Sequence, residues 1–267
     1  MLAHRNHWVG DWKDQGQIDW IDSTGADVYR GHGRLYGVRK VAVTSREGEH
    51  HVLSARHAVV VATGTRAVVP DLPGMAQARP WTSREATSAQ QAPGRLLIVG
   101  GSVVACEMAT AWQSLGSQVT LLARDTGLLP RMEPFAGELV ADALRAAGAV
   151  VRTEVAVESV VRDGPTGPVT VVLKGGERLE GDELLMATGR APRTDDIGLD
   201  TIGLPAGKWI EVDESCRVPG HDWLYAVGDV NHRALLTHQA STRPGSREPR
   251  SSPARRAGRR TPARGVR

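Results

Sequence analysis

The stretch LLIVGGSVVACEMATAWQSLGSQVTLLAR, residues 96–124, decides the fold. It contains, in order, an apolar run at 96–99, the tripeptide Gly-Gly-Ser, a helical pattern that stops at Gly116, and a second apolar run at 119–122. A short apolar run bounded by glycine predicts a buried strand, and glycine after a helical pattern is typical of a helix C-terminus. The stretch therefore predicts a strand–helix–strand unit.

The pattern continues beyond this unit. Pro134 opens an amphipathic helix that runs to Ala147 and ends at Gly148, and Val150-Val151 starts a third strand. Residues 155–181 predict a three-stranded meander with turns at Asp163-Gly164 and Gly175-Gly176, and a buried strand follows at 183–187. Strands that alternate with helices favour a parallel sheet with helical crossovers, so the fold class is α/β.

The first eighty residues predict a β-rich region with polar turns. Candidate strands lie at 40–44 and 51–54, followed by a buried strand at 58–62 with the sequence AVVVA. The segment 69–74, which contains two prolines, predicts an extended linker.

The turn after the first strand has the properties of a phosphate-binding loop. A dinucleotide fold needs a tight turn there, followed by backbone N–H groups at a helix N-terminus that face the diphosphate. Gly100 fits the turn, while Ser102 and Ala105 stand where the second and third glycines of G-x-G-x-x-G usually stand. An ordinary strand–helix crossover is the alternative, but the second strand follows at the expected distance, and we favour dinucleotide binding. The residues of this loop and helix start that we predict to bind the nucleotide are Gly100, Gly101, Ser102, Val103, Val104 and Ala105.

The end of the second strand indicates which nucleotide is preferred. NAD-specific sites place a carboxylate there for the ribose hydroxyls, whereas a 2′-phosphate needs cations. This chain has Arg124 there and Arg131 seven residues later, although Asp125 follows Arg124 directly. We therefore predict NADP in preference to NAD as the bound nucleotide.

Composition excludes several classes of protein. No apolar run approaches the roughly 20 residues of a membrane helix, and the N-terminus lacks the apolar core of a secretory signal. Two cysteines, Cys106 and Cys216, form no CxxC pair, and the nine histidines show no metal-binding pattern. We expect a soluble, cytoplasmic protein with no membrane partner and no metal site.

Residues 241–267 contain nine Arg, four Pro and one Glu, and they account for the basic excess of the chain. This composition predicts a disordered tail, because it offers too little apolar surface to offset the entropy of ordering. A nucleic-acid arm is one interpretation. We favour an incidental terminus, of the kind that reading out of frame would produce, and do not expect nucleic acid as a partner.

Four motifs together resemble the flavoprotein disulfide reductases, the class I pyridine nucleotide-disulfide oxidoreductases that include mercuric reductase and dihydrolipoamide dehydrogenase. These motifs are AVVVATGT (58–65), GGSVVACE (100–107), MATGRAPRTDDIGLDTIGL (186–204) and YAVGDVNHRALLTHQA (225–240). The resemblance implies a three-layer Rossmann-like fold and hydride transfer from a nicotinamide nucleotide to FAD. It also implies a homodimer.

The resemblance assigns further residues to the two cofactors. Asp229 corresponds to the aspartate that binds a ribityl hydroxyl of FAD, and Glu107 corresponds to a carboxylate near the junction of nicotinamide and flavin. The remaining matches are Gly33 near adenine, Thr63 and Gly64 near the FAD ribose, Gly189 and Arg190 where the cofactors meet, and Leu236 and Thr237 beside the flavin. The resemblance matches none of this chain's residues to a catalytic role.

The matched motifs define the expected domains. They are a partial FAD-binding domain at 1–81, an NAD(P)-binding domain at 82–207, a return to the FAD domain at 208–240, and the tail at 241–267. The family's FAD phosphate loop, redox pair CxxxxC and dimerisation domain are not matched, so we expect a fragment that holds FAD weakly or not at all. The alternative is an inactive nucleotide-binding module.

Overall fold

A computed structural model describes residues 1–236 of the chain. The helices among these residues are α1 (Leu2–Trp8), α2 (Gln15–Ser23), α3 (Met75–Ala78), α4 (Ser83–Ser88), α5 (Val103–Ser114) and α6 (Pro134–Ala146). The strands are β1 (His32–Leu35), β2 (Lys40–Thr44), β3 (His50–Ser54), β4 (Val59–Val61), β5 (Thr65–Ala67), β6 (Arg95–Val99), β7 (Gln118–Leu122), β8 (Val150–Arg152), β9 (Val157–Arg162), β10 (Val169–Leu173), β11 (Arg178–Gly181), β12 (Glu183–Met186), β13 (Arg190–Pro192) and β14 (Leu224–Ala226).

A four-stranded parallel sheet in the order β12-β6-β7-β8 forms the centre of the larger unit. Successive residues of β6 point to opposite faces, as in any strand. Leu96 and Ile98 pack with α5 and α6, while Leu97 packs with Met75 and the inward residues of β9 and β10. Burying a side chain of this size stabilises the fold by about 1.5–3 kcal/mol.

The second face of the parallel sheet is covered by an antiparallel sheet in the order β11-β10-β9. A Cβ at Gly74 would overlap the carbonyl oxygen of Val160, and Pro73 accepts a hydrogen bond from the Val160 N–H at 2.9 Å. The segment before α3 therefore lies directly on β9. Helices, parallel sheet and antiparallel sheet make three layers, which confirms the predicted α/β architecture.

The chain divides into two compact units. The larger unit consists of residues 1–33, 43–51 and 65–193, and the smaller unit consists of 34–42, 52–64 and the chain from Thr194 onward. In the smaller unit, β4 pairs in parallel with β14, and a core forms around Leu199, Trp223 and Leu224. The predicted domain boundaries stay a prediction.

The helix and strand predictions from residue 95 onward are confirmed to within one or two residues. Gly116 and Gly148 both adopt positive φ, at 97° and 101°, directly after their helices. These are backbone conformations that glycine adopts without steric cost, which explains why both helices end there.

The β-rich prediction for the first eighty residues is wrong in part, because α1 and α2 occupy 2–8 and 15–23. Neither helix contains a buried residue, so neither imposes an apolar stripe on the sequence. The prediction of a buried strand at 58–62 also needs correction. In β4 only Val61 is buried, and Val60 is 56% exposed.

In the part of the chain described here, no helix is both long enough and apolar enough to cross a membrane.

Candidate functional site

The turn between β6 and α5 is tight because the end of β12 lies against it. Gly100 adopts φ 136°, and a Cβ at this position would overlap the carbonyl oxygen of Ala187. The Gly100 N–H donates to the Leu122 carbonyl at 2.9 Å, which ties the turn to the neighbouring strand β7. Only glycine combines this φ with this close approach, as the phosphate-loop interpretation of Gly100 requires.

The N-terminus of α5 presents unsatisfied amides. The first main-chain bond at this end of the helix runs from the Cys106 N–H to the Ser102 carbonyl at 3.1 Å. The preceding amides of Val103, Val104 and Ala105 have no acceptor within residues 1–236. Together with the helix dipole, such amides form a site that favours an anion.

Ser102 occupies the N-cap position of α5 without capping the helix. Its hydroxyl donates instead to the carbonyl of Ala187 at 3.2 Å. A serine usually satisfies one of the free amides at a helix start. Because Ser102 does not, those amides stay available to a ligand.

The loop after β7 places two cations beside the phosphate loop. Arg124 and Arg131 are exposed, and neither side chain has a hydrogen bond or ion pair with any described residue. Between them, the Leu129 N–H donates to the Gly101 carbonyl at 2.7 Å. A Cβ at Gly101 would lie 3.2 Å from the Cβ of Ala123 and 3.5 Å from the carbonyl oxygen of Gly127. The structure thus places the loop that carries the two arginines next to the residues of the predicted phosphate loop.

Glu107 lies one turn along α5, on the same face as Val103. Both side chains are exposed, Val103 to 44%. The adjacent residue Cys106 lies on the other side of the helix, in the core. Burial raises the pKa of the Cys106 thiol, and the negative charge of Glu107 raises it further. This thiol is therefore a protonated packing residue at neutral pH.

Gly189 and Arg190 lie where β12 leads into β13, which pairs antiparallel with β5. The Gly189 carbonyl accepts the Val68 N–H at 2.9 Å. The Arg190 guanidinium donates to the hydroxyl of Thr65 at 2.5 Å and to its carbonyl at 3.2 Å. The sequence had no signal for this contact with Thr65, which is 7% exposed. Cofactor contact by Gly189 and Arg190 stays a prediction.

Gly33 lies in β1, within the larger unit. The motif around it contains a close backbone approach, but at Gly31, where a Cβ would overlap the carbonyl oxygen of Thr44. The contact of Gly33 with adenine stays a prediction.

The other residues assigned to FAD lie in the smaller unit. Thr63 is exposed, Gly64 adopts φ 66°, and Leu236 is 63% exposed. Asp229 belongs to a short 3₁₀ turn, Gly228–Asn231, and its carbonyl accepts the His232 N–H at 3.0 Å. Thr237 lies outside the described residues. The roles of these residues stay predictions.

Cys216 is 1% exposed, in a turn of the smaller unit where it adopts φ 63°. The neighbouring residues Glu214 and Ser215 are polar, but the Cys216 side chain itself is buried. The Cys106 side chain is buried as well, at 6% exposed.

A tight glycine turn between a parallel strand and a helix, on a sheet of this topology, is the arrangement of a Rossmann-like FAD- or NAD-binding domain. Comparison with known proteins agrees with this class. Residues 13–245 match the family model described as pyridine nucleotide-disulphide oxidoreductase. The chain therefore belongs to the pyridine nucleotide-disulphide oxidoreductase family, a family of oxidoreductases.

Individual relatives support the assignment. The chain is 36% identical over 222 residues to a mercuric reductase of Shigella flexneri, covering 80% of this chain and 38% of the relative. It is 34% identical over 221 residues to a glutathione reductase of Burkholderia cepacia, covering 81% of this chain and 46% of the relative. The chain thus spans less than half the length of these two relatives.

Among solved structures, the chain is similar to LpdA of Mycobacterium tuberculosis. The TM-score is 0.72 at 27% identity, and the match covers 84% of this chain and 50% of that one.

Proposed function

We propose that this chain carries the nucleotide-binding part of an NAD(P)H-dependent flavin oxidoreductase and that it binds NADPH in preference to NADH. The proposal rests on one observation above all. The three amides at the start of α5 that have no acceptor within residues 1–236 lie beside a loop with two arginines whose side chains have no partner in the same range.

Different residues of the larger unit would bind different parts of the nucleotide. The diphosphate would lie against the amides of Val103–Ala105, where Gly100 and Gly101 leave the backbone uncovered. Arg124 and Arg131 would hold the 2′-phosphate, since guanidinium groups bind phosphate through charge-assisted hydrogen bonds. Glu107 would lie toward the nicotinamide end, on the exposed face of α5.

The reaction proposed for the whole protein is transfer of a hydride from NADPH to FAD. When bound, NADPH supplies the hydride and the flavin accepts it. The residues of this chain bind and orient the nucleotide, and none of them is proposed to donate or accept a proton.

FAD is proposed to bind weakly or not at all to this chain. In the segments assigned to FAD, 1–81 and 208–236, the α-helices are α1, α2 and α3, and none of them begins directly after a strand of a parallel sheet, the arrangement that would present an N-terminus to a second diphosphate. Asp229 and its neighbours would contribute contacts to the ribityl chain only.

The second candidate function is an inactive nucleotide-binding module. The observation in its favour is that the side chains of Cys106 and Cys216 are both buried, at 6% and 1% exposed. A module would bind NADPH without oxidising it, even when FAD is supplied in excess.

The experiment that tests the proposal is a calorimetric titration of the purified chain with NADPH and with NADH. Binding of NADPH in the micromolar range, with weaker binding of NADH, supports the proposed nucleotide site. A chain that binds neither nucleotide contradicts it. Slow oxidation of NADPH with added FAD then separates the oxidoreductase from the inactive module.

A further inference from the structure

The loop that carries Arg124 and Arg131 is held in place by a glycine of α6. Gly137 is buried and is the fourth residue of this helix. A Cβ at position 137 would overlap the carbonyl oxygen of Leu128 and would lie 3.0 Å from its carbonyl carbon. The helix and the loop therefore touch through their backbones at this point.

Leu128 anchors the middle of the same loop. Its side chain is 3% exposed and belongs to the core cluster that also contains Ala105 of α5 and Ala141 of α6. Its carbonyl faces Gly137, so both the side chain and the backbone of Leu128 are fixed.

The residue after Leu128 connects this loop to the phosphate loop. The next residue, Leu129, adopts φ 53° and donates its N–H to the Gly101 carbonyl at 2.7 Å. A left-handed conformation at a leucine costs conformational energy and persists only where its surroundings impose it. The surroundings here are the core anchor at Leu128 and the hydrogen bond to Gly101.

The other end of the loop is fixed as well. The Glu154 N–H donates to the Asp125 carbonyl at 3.0 Å, and the Val155 N–H donates to the Ala123 carbonyl at 3.1 Å. The two arginines therefore stand on a loop whose backbone is held on both sides. A loop ordered before binding loses less conformational entropy when a ligand arrives.

We infer that Gly137 is a positioning residue for the selection of the nucleotide. Because Gly137 has no side chain, α6 can pack directly on the Leu128 carbonyl. This contact sets the arginine-bearing loop 124–131 at the distance from the phosphate loop that a 2′-phosphate requires. The inference rests on the proposed binding of NADPH. It adds a determinant of specificity on a helix that contributes no predicted contact with the nucleotide.

The test is the substitution Gly137→Ala. Alanine inside a helix is ordinarily more favourable than glycine. At this position the added methyl group must push the Leu128 carbonyl, and with it the arginine loop, away from the helix. Because NADH has no 2′-phosphate, its affinity depends less on this loop. We expect the ratio of NADPH to NADH affinity to fall at least roughly fivefold, since displacement of a binding group by about 1 Å can cost far more.

Gly16→Ala is the matched control. Gly16 also lies inside a helix, α2, but a Cβ there would meet nothing within 4 Å. This variant should keep the wild-type ratio of affinities. Thermal melting of both variants shows whether the fold is intact.

The ratio of affinities decides the inference. An unchanged ratio in Gly137→Ala overturns it, whether or not both affinities fall together. If Gly137→Ala does not fold, Leu128→Val decides by the same ratio, because it trims the anchor of the loop without adding bulk. A wild-type chain that binds neither nucleotide defeats the proposed function itself. A wild-type chain that prefers NADPH, combined with unchanged ratios in the variants, defeats only the role of Gly137.

Discussion

The hydroxyl of Ser102 donates to the carbonyl of Ala187 at 3.2 Å, so the residue at the N-cap of α5 ties the phosphate loop to the end of β12. The backbone of the same loop also packs against Ala187, because Gly100 lies so close to the Ala187 carbonyl that a side chain would not fit. The end of β12 thus holds the phosphate loop in place, and the first amides of α5 stay available to a ligand.

The bond between Ser102 and Ala187 predicts the effect of Ser102→Ala. We expect a loss of about 0.5–1.5 kcal/mol in the free energy of unfolding, the usual contribution of a neutral hydrogen bond. The affinities for NADPH and NADH should fall severalfold and by the same factor, because the diphosphate is common to both. Denaturant unfolding and nucleotide titration measure the two effects.

Ser114→Ala serves as its control, since the Ser114 side chain is exposed and, within residues 1–236, its hydroxyl donates to carbonyls of α5 alone. A hundredfold loss of affinity in Ser102→Ala without a loss of stability would mean that the hydroxyl contacts the ligand directly.

Arg124 should determine the preference for NADPH. A charge-assisted contact with phosphate contributes about 1.5–3 kcal/mol, which corresponds to a difference in affinity of roughly tenfold to a hundredfold. We therefore expect Arg124→Glu to abolish the preference for NADPH and to leave NADH binding nearly unchanged. The measurement is a titration of each nucleotide against each variant, at a fixed salt concentration.

Arg178→Glu makes the same change of charge at an exposed position on β11, outside the predicted site. Equal affinities of the wild type for the two nucleotides, or a preference that survives Arg124→Glu, would contradict the assignment of the 2′ site.

FAD should not remain bound to this chain through extensive dialysis. The diphosphate is the most highly charged part of the ligand, and none of the helices described in 1–81 and 208–236 begins directly after a strand of a parallel sheet to receive it. Absorbance of the dialysed protein in the visible range measures the flavin that is left. Recovery of one flavin per chain would show the prediction to be wrong.

Neither cysteine should take part in disulfide reduction. The pKa of the Cys106 thiol is raised by burial, so the reactive thiolate becomes available only at a pH above its usual range. We expect no NADPH-dependent reduction of an added disulfide, with FAD in excess, and slow labelling of both thiols by a disulfide reagent until the protein is denatured.

Cys106→Ser and Cys216→Ser provide the check on this prediction. Turnover that either substitution abolishes would identify a redox cysteine. Turnover that survives both would place the chemistry elsewhere in the chain.

The ion pair between Arg95 and Asp182 predicts a dependence of stability on pH. A hydrogen bond from the Arg95 side chain, at 2.8 Å, lowers the pKa of the Asp182 carboxyl below its usual value, and the backbone N–H of Arg95 lowers it further. A carboxyl with a lowered pKa in the folded state adds stability above its unfolded pKa, near 4, and this contribution is lost as the pH falls through the folded pKa.

Asp182→Asn should therefore lower the melting temperature at pH 7, and the difference from the wild type should shrink below roughly pH 4. The pair is 42% exposed on both sides, so solvent screening limits the effect to about 1 kcal/mol. Asp71→Asn, an exposed carboxylate before α3, is the control. A difference that stays constant from neutral to acid pH would rule out the titration of Asp182 as its source.

The sequence alone determined the architecture of the larger unit from residue 95 onward. Apolar runs such as Leu96–Val99 and the glycines that end α5 and α6 are local signals, because burial and positive φ restrict residue type at single positions. The glycine turn before α5 and the position of Arg124 follow from the same local pattern, and four spaced motifs were enough to indicate the family.

The tertiary structure decided what depends on contacts between distant residues. The helices α1 and α2 bury no side chain, so they left no apolar period in the sequence. The bond from Ser102 to Ala187 joins residues that are far apart in the chain. Gly137 lies inside a helix, so no turn accounts for a glycine at this position. Only the packing of α6 on the carbonyl of Leu128 shows why a side chain is excluded there. Close approach of two backbones is a property of the folded chain, and no local pattern of residues encodes it.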